Sequence, residues 1–166
     1  EAINTASLSL YAKLGFDWRE AVALMALPAG AAEDARVSPV TAADLPAIGE
    51  ISARQYGSSR RNEAAGYLAM RMPGFMRLTG GRATGYFFPG LFGQGFAESA
   101  GDLAALVGHA AGHTPPMFQR MLVPLSQHDL HRRLMGAGCR TVKLFNYMSA
   151  GPYQQPRGAW MPSIGM

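Results

Sequence analysis

Residues 4–16 read NTASLSLYAKLGF, and this stretch predicts an amphipathic helix, a glycine stop and the entry into a strand. Leu8 and Tyr11 lie three residues apart on one helical face, with further leucines beside them. Asn4 is a residue type that caps a helix N-terminus. Gly15 suits the left-handed position that follows a helix C-terminus. The pattern therefore predicts a short helix that turns directly into a strand at Phe16.

The rest of the chain alternates between strand-like and helix-like segments. The strand that begins at Phe16 continues toward Met25 at a period of two residues. From residue 36 onward the predicted order is strand, helix, helix, two or three strands, helix, strand, helix, strand. This mixed order predicts a layered α/β (α+β) fold, in which helices flank a central, mixed, mostly antiparallel sheet.

The amino-acid composition argues against a nucleic-acid-binding, a secreted and a membrane-spanning protein. The chain has 166 residues, 48% of them hydrophobic, which suits one compact domain with little left over. The net charge of +4 comes from scattered basic residues, without the dense basic stripe of a nucleic-acid reader. The lone Cys139 cannot form an internal disulfide, so a reducing compartment is expected. With no apolar run of membrane-spanning length and no signal-peptide pattern, a cytoplasmic protein without membrane or nucleic-acid partners is predicted.

The pattern N-x6-Y-x3-G-F, formed by Asn4, Tyr11, Gly15 and Phe16, resembles the last conserved piece of the GCN5-related N-acetyltransferase (GNAT) superfamily. The resemblance implies an acyl-CoA N-acyltransferase-like fold, acetyl-CoA as co-substrate and a small-molecule or peptide amine as acceptor. It also implies that Asn4 contacts the pantetheine arm and that Tyr11 is catalytic, returning a proton to the leaving thiolate. The alternative for Tyr11 is an amphipathic core residue with its hydroxyl at the rim.

The same plan recurs more weakly at residues 127–148. Aligning Gln127 with Asn4 places Leu134 on Tyr11 and Gly138 on Gly15. Gln127 keeps an amide for a pantetheine contact, whereas Leu134 has no proton to give. The recurrence predicts a tandem acetyltransferase, with chance similarity as the alternative. The tandem interpretation divides the chain into a remnant of a first domain (1–25), a linker (26–35), an acetyltransferase-like domain (36–150) and a Pro- and Gly-rich tail (151–166).

A glycine-rich segment precedes the predicted helix that starts near Asp102. Gly93 and Gly95 imitate the loop that binds the pyrophosphate of acetyl-CoA in this superfamily, where backbone N–H groups face the phosphates. They are therefore candidate cofactor-binding residues. The alternative is that glycine serves a bulged or tightly turned strand. Glu98 and Asp102 would oppose a diphosphate electrostatically.

His109 and His113 have the i, i+4 spacing that zinc sites use on a helix. No third ligand is evident in the sequence, so they are interpreted as surface histidines near a helix C-terminus, and no metal is predicted. Cys139 falls at an apolar position and is predicted to lie in the core.

Two functions follow from these patterns. The first is acetyl transfer from acetyl-CoA to an amine. The alternative is a catalytically silent acetyltransferase-like domain with a structural, dimerisation or substrate-cleft role. In that case the opening helix must bury its apolar face elsewhere, and exchange of the N-terminal helix and strand between two chains would give a homodimer.

Overall fold

The computed structural model describes residues 4–163, so the extreme ends of the predicted remnant and tail lie outside it. The helices are α1 (Thr5–Lys13), α2 (Leu45–Tyr56), α3 (Arg61–Ala69), α4 (Ala100–His113) and α5 (His128–Gly136). The strands are β1 (Phe16–Ala26), β2 (Val37–Pro39), β3 (Phe75–Thr79), β4 (Arg82–Phe87), β5 (Gly95–Ala97), β6 (Arg120–Pro124), β7 (Arg140–Ala150) and β8 (Ala159–Met161). Short 3-10 turns span Ala42–Asp44 and Pro116–Phe118.

The strands form two sheets, ordered β2-β3-β4-β5-β8 and β6-β1-β7. Every pairing is antiparallel. One buried cluster joins β1 and β6 to α4 and α5, and a second, aromatic-rich cluster joins β3 to β5 with α2 and α3. The predicted layered α/β fold with antiparallel sheets is confirmed. No helix in the described part of the chain is long and apolar enough to cross a membrane.

The opening stretch folds as its sequence predicts. The Asn4 carboxamide oxygen accepts a hydrogen bond from the Ser7 N–H at 2.9 Å, which caps α1. Gly15 follows the helix with φ +86°, a left-handed conformation that glycine adopts without strain. None of the residues of α1 is buried, and Leu10 and Leu14 are 56% and 63% exposed. The described chain therefore leaves the apolar face of this helix uncovered.

Strand β1 lies between β6 and β7. It pairs with β7 from Phe16↔Ala150 to Ala26↔Arg140, and its second half pairs with β6. Ala23 and Met25 have no exposed surface. The segment predicted as a first-domain remnant is thus the middle strand of a sheet whose other strands come from residues 36–150. The division into domains itself remains a prediction.

The recurrence seen in the sequence has a counterpart in the structure. Helix α1 has nine residues, a left-handed Gly15 and an 11-residue strand after it. Helix α5 also has nine residues, and it is followed by a left-handed Gly138, φ +92°, and an 11-residue strand. The two strands, β1 and β7, pair side by side in opposite directions. Two units of the same plan therefore build one sheet.

The predicted linker is docked rather than loose. The Ala32 N–H donates to the Gly108 carbonyl of α4 at 3.0 Å. Gly112 permits this approach, because a Cβ there would collide with the Cβ of Ala31. Asp34 accepts a hydrogen bond from Arg77 at 3.2 Å, and the same guanidinium reaches Asp102 at the start of α4. The segment before β2 is thereby fixed to both ends of one helix.

The tail contains more structure than its composition indicates. It was predicted to be irregular or an edge segment, and it does contain an end strand of the five-stranded sheet, β8. This strand pairs with β5 from Gly95↔Met161 to Ala97↔Ala159. Trp160 is only 2% exposed. A Pro- and Gly-rich composition did not reveal that the tail buries a large aromatic side chain.

Candidate functional site

Tyr11 lines a cleft of about 500 Å³ between α1, the second sheet and the end of the tail. Its side chain is partly open to solvent, 46% exposed, and its ring meets Phe16 edge-on at 5.4 Å. Apolar side chains dominate the lining, and the other residues around the cleft are Phe16, Val22, Leu122, Phe145, Asn146, Tyr147, Met148, Pro162 and Ser163. Such a lining suits a ligand that carries an apolar segment and a few polar groups.

Polar groups of this cleft are held by hydrogen bonds and burial. The Asn146 carboxamide oxygen accepts from the Trp18 indole N–H at 3.1 Å. Ser163 is buried, 6% exposed. Burial raises the pKa of Tyr67 and of Tyr147, so both phenols are neutral at physiological pH. The cleft thus offers an amide, a hydroxyl and phenols in fixed positions.

Asn4 lies at the exposed start of α1, and the same helix carries Tyr11. Its carboxamide oxygen is engaged in the helix cap. The pantetheine contact implied by the resemblance remains a prediction, and the cap explains independently why an asparagine stands at this position.

Gln127 is engaged by the tail. With its carboxamide oriented to match its neighbours, its oxygen accepts from the Trp160 indole N–H at 3.1 Å and its nitrogen donates to the Gly158 carbonyl at 3.3 Å. Gly95, another predicted cofactor contact, is paired to Met161 of β8. The tail therefore contacts two of the residues that the resemblance assigns to cofactor binding.

Gly93 lies in the turn before β5. A Cβ at this position would collide with the carbonyl oxygen of Phe88, so the backbone there admits only glycine. Gly95 is less constrained, since a Cβ there would lie 3.0 Å from Leu103 Cδ1, the end of a flexible side chain. These contacts favour the alternative that was left open in the sequence, a tightly turned strand. The cofactor role of both glycines remains a prediction.

Carboxylates surround the N-terminus of α4. Glu98 is paired with Arg82, and this hydrogen bond is the main cause of its lowered pKa, so the carboxylate is ionised. Asp102 accepts from the Ser99 hydroxyl at 2.9 Å, while Ser99 accepts from the Asp102 N–H at 3.0 Å and caps the helix. An open groove of about 450 Å³ runs from here to Gln127 and the start of α5. Because Glu98 and Asp102 are paired with Arg82 and Arg77, the expected electrostatic opposition to a diphosphate remains a prediction.

One histidine lies deeper in the fold than its sequence position indicates. His109 was predicted to lie at the surface, and this is wrong: it is 8% exposed, beneath Glu33 of the linker. The linker glutamate is far away in sequence, and for that reason no spacing rule could pair it with the histidines.

Cys139 is buried as predicted, and burial raises the pKa of its thiol to about 11.

Comparison with known proteins was made in three ways. No protein-family model matches the chain, and no curated protein matches it. Solved structures do match. A proposed acetyltransferase of Pyrococcus horikoshii superposes with a TM-score of 0.73 at 13% identity, over 94% of this chain and 56% of its own. A proposed GNAT-family acetyltransferase of Novosphingobium aromaticivorans gives 0.55 at 12% identity, over 83% and 69%.

A third structure, a Drosophila protein, has a TM-score of 0.61 at 13% identity, and the match covers 89% of this chain and 57% of that one. At such low identity these likenesses show the fold alone. The chain therefore has a GNAT-like, acyl-CoA N-acyltransferase-like fold. It spans little more than half the length of the Pyrococcus structure, 56%.

Proposed function

We propose that this protein transfers an acetyl group from acetyl-CoA to an amine. The reaction would take place in the cleft that Tyr11 lines, with Tyr11 as the proton donor. The observation that carries the proposal is the cleft itself, which Tyr11 lines together with Asn146 and Tyr147 of the following acetyltransferase-like unit and Ser163 of the tail. A small-molecule or peptide amine is the acceptor class. The buried free thiol of Cys139 suits a reducing compartment such as the cytoplasm.

In this proposal the neutral amine attacks the thioester carbonyl carbon, the C–S bond breaks, and the amine gives up one proton to solvent. The departing thiolate takes a proton from the Tyr11 hydroxyl, and the resulting phenolate is reprotonated from solvent, which has received the proton of the amine. Protonation at this stage favours product formation because it neutralises charge on the leaving group. Asn4, on the first turn of the same helix, would hold the pantetheine arm. The apolar lining of the cleft would exclude water from the thioester.

We propose further that the unit formed by residues 36–150 is catalytically silent and shapes the cleft. Leu134 stands where Tyr11 stands in the first copy of the plan. The tail engages Gln127 and pairs with Gly95, and Glu98 carries a negative charge at the helix where a diphosphate would bind. A second acetyl-CoA site in this unit would need the tail displaced from Gln127 and Gly95.

The uncovered face of α1 supports a role in assembly. Leu10 and Leu14 are exposed. Two large apolar side chains of the adjoining strands are exposed as well, Trp18 of β1 and, at 43%, Leu144 of β7. We propose that another acetyltransferase-like unit covers this face. One form is a homodimer that exchanges the N-terminal helix and strand. Light scattering of the full-length protein would show twice the chain mass for the dimer, and a monomer would contradict the exchange.

Replacing Tyr11 by phenylalanine is expected to lower kcat for amine acetylation by at least about 100-fold, since general acid catalysis contributes that much or more. The ring and its contact with Phe16 are kept, so KM for acetyl-CoA should change little. The assay is thiol release from acetyl-CoA by the full-length protein with a panel of primary amines. Tyr56→Phe is the matched control, because Tyr56 lies on α2 and does not line the cleft.

Equal turnover by wild type and Tyr11→Phe would show that the Tyr11 hydroxyl takes no part in the reaction. A wild-type protein that acetylates no amine and shows no calorimetric binding of acetyl-CoA at millimolar concentration would favour the silent alternative for the whole protein.

A further inference from the structure

Three potential ligands converge where the linker crosses the end of α4. Glu33 Oε1 lies 3.1 Å from His113 Nε2, and Glu33 Oε2 lies 3.4 Å from His109 Nδ1. One donor atom of each residue lies within 4.8 Å of the other two. Two imidazoles and a carboxylate form a ligand set that first-row transition metals, zinc above all, use in proteins.

The fold holds these residues in place. His109 and His113 are one turn apart on α4, and their rings stack at 4.6 Å. Glu33 reaches them because the preceding residue is hydrogen-bonded to Gly108 and because Gly112 has no side chain to push the linker away. The site therefore joins two segments that are distant in sequence, and each is anchored by contacts of its own.

The distances fit one tetrahedral ion. Ligands at about 2.0 to 2.1 Å from a tetrahedral zinc ion lie about 3.3 Å from each other. The two carboxylate–imidazole distances, 3.1 and 3.4 Å, are close to this value but start from different oxygens of Glu33, so the carboxylate would use both oxygens or turn slightly to hold the ion. The Asp34 N–H lies 3.4 Å from His109 Nδ1, a long hydrogen bond that an ion bound at this nitrogen would replace.

The surroundings leave room for water ligands. A cavity of about 440 Å³ opens beside the three residues, between the linker, β2 and the start of β3. The Phe75 ring forms its apolar wall and meets His109 edge-on at 5.8 Å. An ion held by three side chains would thus keep at least one position open to solvent.

We propose that Glu33, His109 and His113 bind one divalent transition metal ion, with Zn²⁺ as the best fit, and that the ion clamps the linker onto α4. This site is separate from the Tyr11 cleft and does not depend on the proposed acetyl transfer. None of its residues lines that cleft. The metal is expected to stabilise the fold rather than to react.

The test uses the chelator-treated full-length protein titrated with Co²⁺, whose visible absorption bands report ligation by nitrogen and oxygen. Wild type is expected to bind one ion and to be competed by Zn²⁺. Zn²⁺ at 100 times its Kd should raise Tm by about 5 to 10 °C. Glu33→Gln and His113→Ala should each weaken binding by at least about 10-fold, which at the same Zn²⁺ concentration reduces the Tm response to about half or less. His128→Ala, an exposed histidine outside the site, is the control that should behave like wild type.

Both variants change exposed side chains, so misfolding should not obscure the result. Absence of Co²⁺ bands at millimolar metal overturns the proposal. So does equal binding by wild type and both variants, which would place the ion elsewhere. If His113→Ala lowers the Tm of the metal-free protein but the wild type shows no metal response, the cluster is an ion pair and the proposal fails.

Discussion

Replacing Trp160 by alanine is expected to lower the free energy of unfolding by about 3 to 5 kcal/mol, the range for large aromatic truncations in a core. Trp160 is 2% exposed and pairs with Phe96 across β5 and β8. Its ring packs edge-on against Tyr147 at 5.9 Å. Truncation would also leave the Gln127 oxygen without the indole N–H that it accepts from. Urea denaturation at neutral pH measures the loss.

Trp18→Ala is the matched control. Trp18 also donates its indole N–H, to Asn146 at 3.1 Å, but it is 54% exposed. We expect a loss below about 1 kcal/mol, because little apolar surface is uncovered and water replaces the hydrogen bond. If the two variants lose the same stability, the tail strand is not part of the folded core, and the occupation of Gln127 by the tail is wrong.

Replacing Arg77 by methionine is expected to cost about 3 to 5 kcal/mol, because it leaves two carboxylates without their shared cation. The Arg77 side chain is 7% exposed, and those of Asp34 and Asp102 are 15% and 19% exposed. Methionine keeps the length of the stem but has no donor. The measurement is again urea denaturation, and Arg36→Met is the control, since Arg36 pairs with the same Asp34 from an exposed position and should matter much less.

Acidification offers an independent check on this network. Hydrogen bonds from Arg36, joined by one from Arg77, hold the pKa of Asp34 well below its usual range. Because the pKa is lower in the folded state, the stabilisation is fully present above about pH 4 and is lost as pH falls below it. Wild type should therefore lose stability between about pH 4 and pH 2. An Arg77→Met protein as stable as wild type at pH 7 would contradict the role of this buried pair.

The local parts of the fold were predictable from the sequence. The cap at Asn4, the left-handed Gly15 and the strand after it depend on neighbouring residues, and the same holds for the second copy that ends at Gly138. The layered arrangement followed from the order of the elements. What sequence could not supply was the long-range pairing, such as β1 lying between β6 and β7.

In the candidate sites, too, single residues could be identified from the sequence, whereas the contacts that complete each site could not. Tyr11 was identified from a spaced motif, but its cleft depends on β7 and on Ser163 at the end of the tail. Gln127 was proposed as a cofactor contact by alignment with Asn4, and its engagement by Trp160 depends on where the tail returns. The histidine pair was visible in the sequence, whereas Glu33 reaches it only through the docked linker. Tertiary contacts of this kind leave no local pattern.

Hydrogen–deuterium exchange of the full-length protein, with and without CoA, tests most directly where the ligand binds. The account predicts slower exchange in residues 8–16 and 145–148, which form the Tyr11 cleft, with no change in residues 93–99 and 127–131. Slower exchange in residues 93–99 and 127–131, with residues 8–16 unchanged, would contradict this, because the ligand would then bind at the groove beside Gln127 in the unit proposed to be silent.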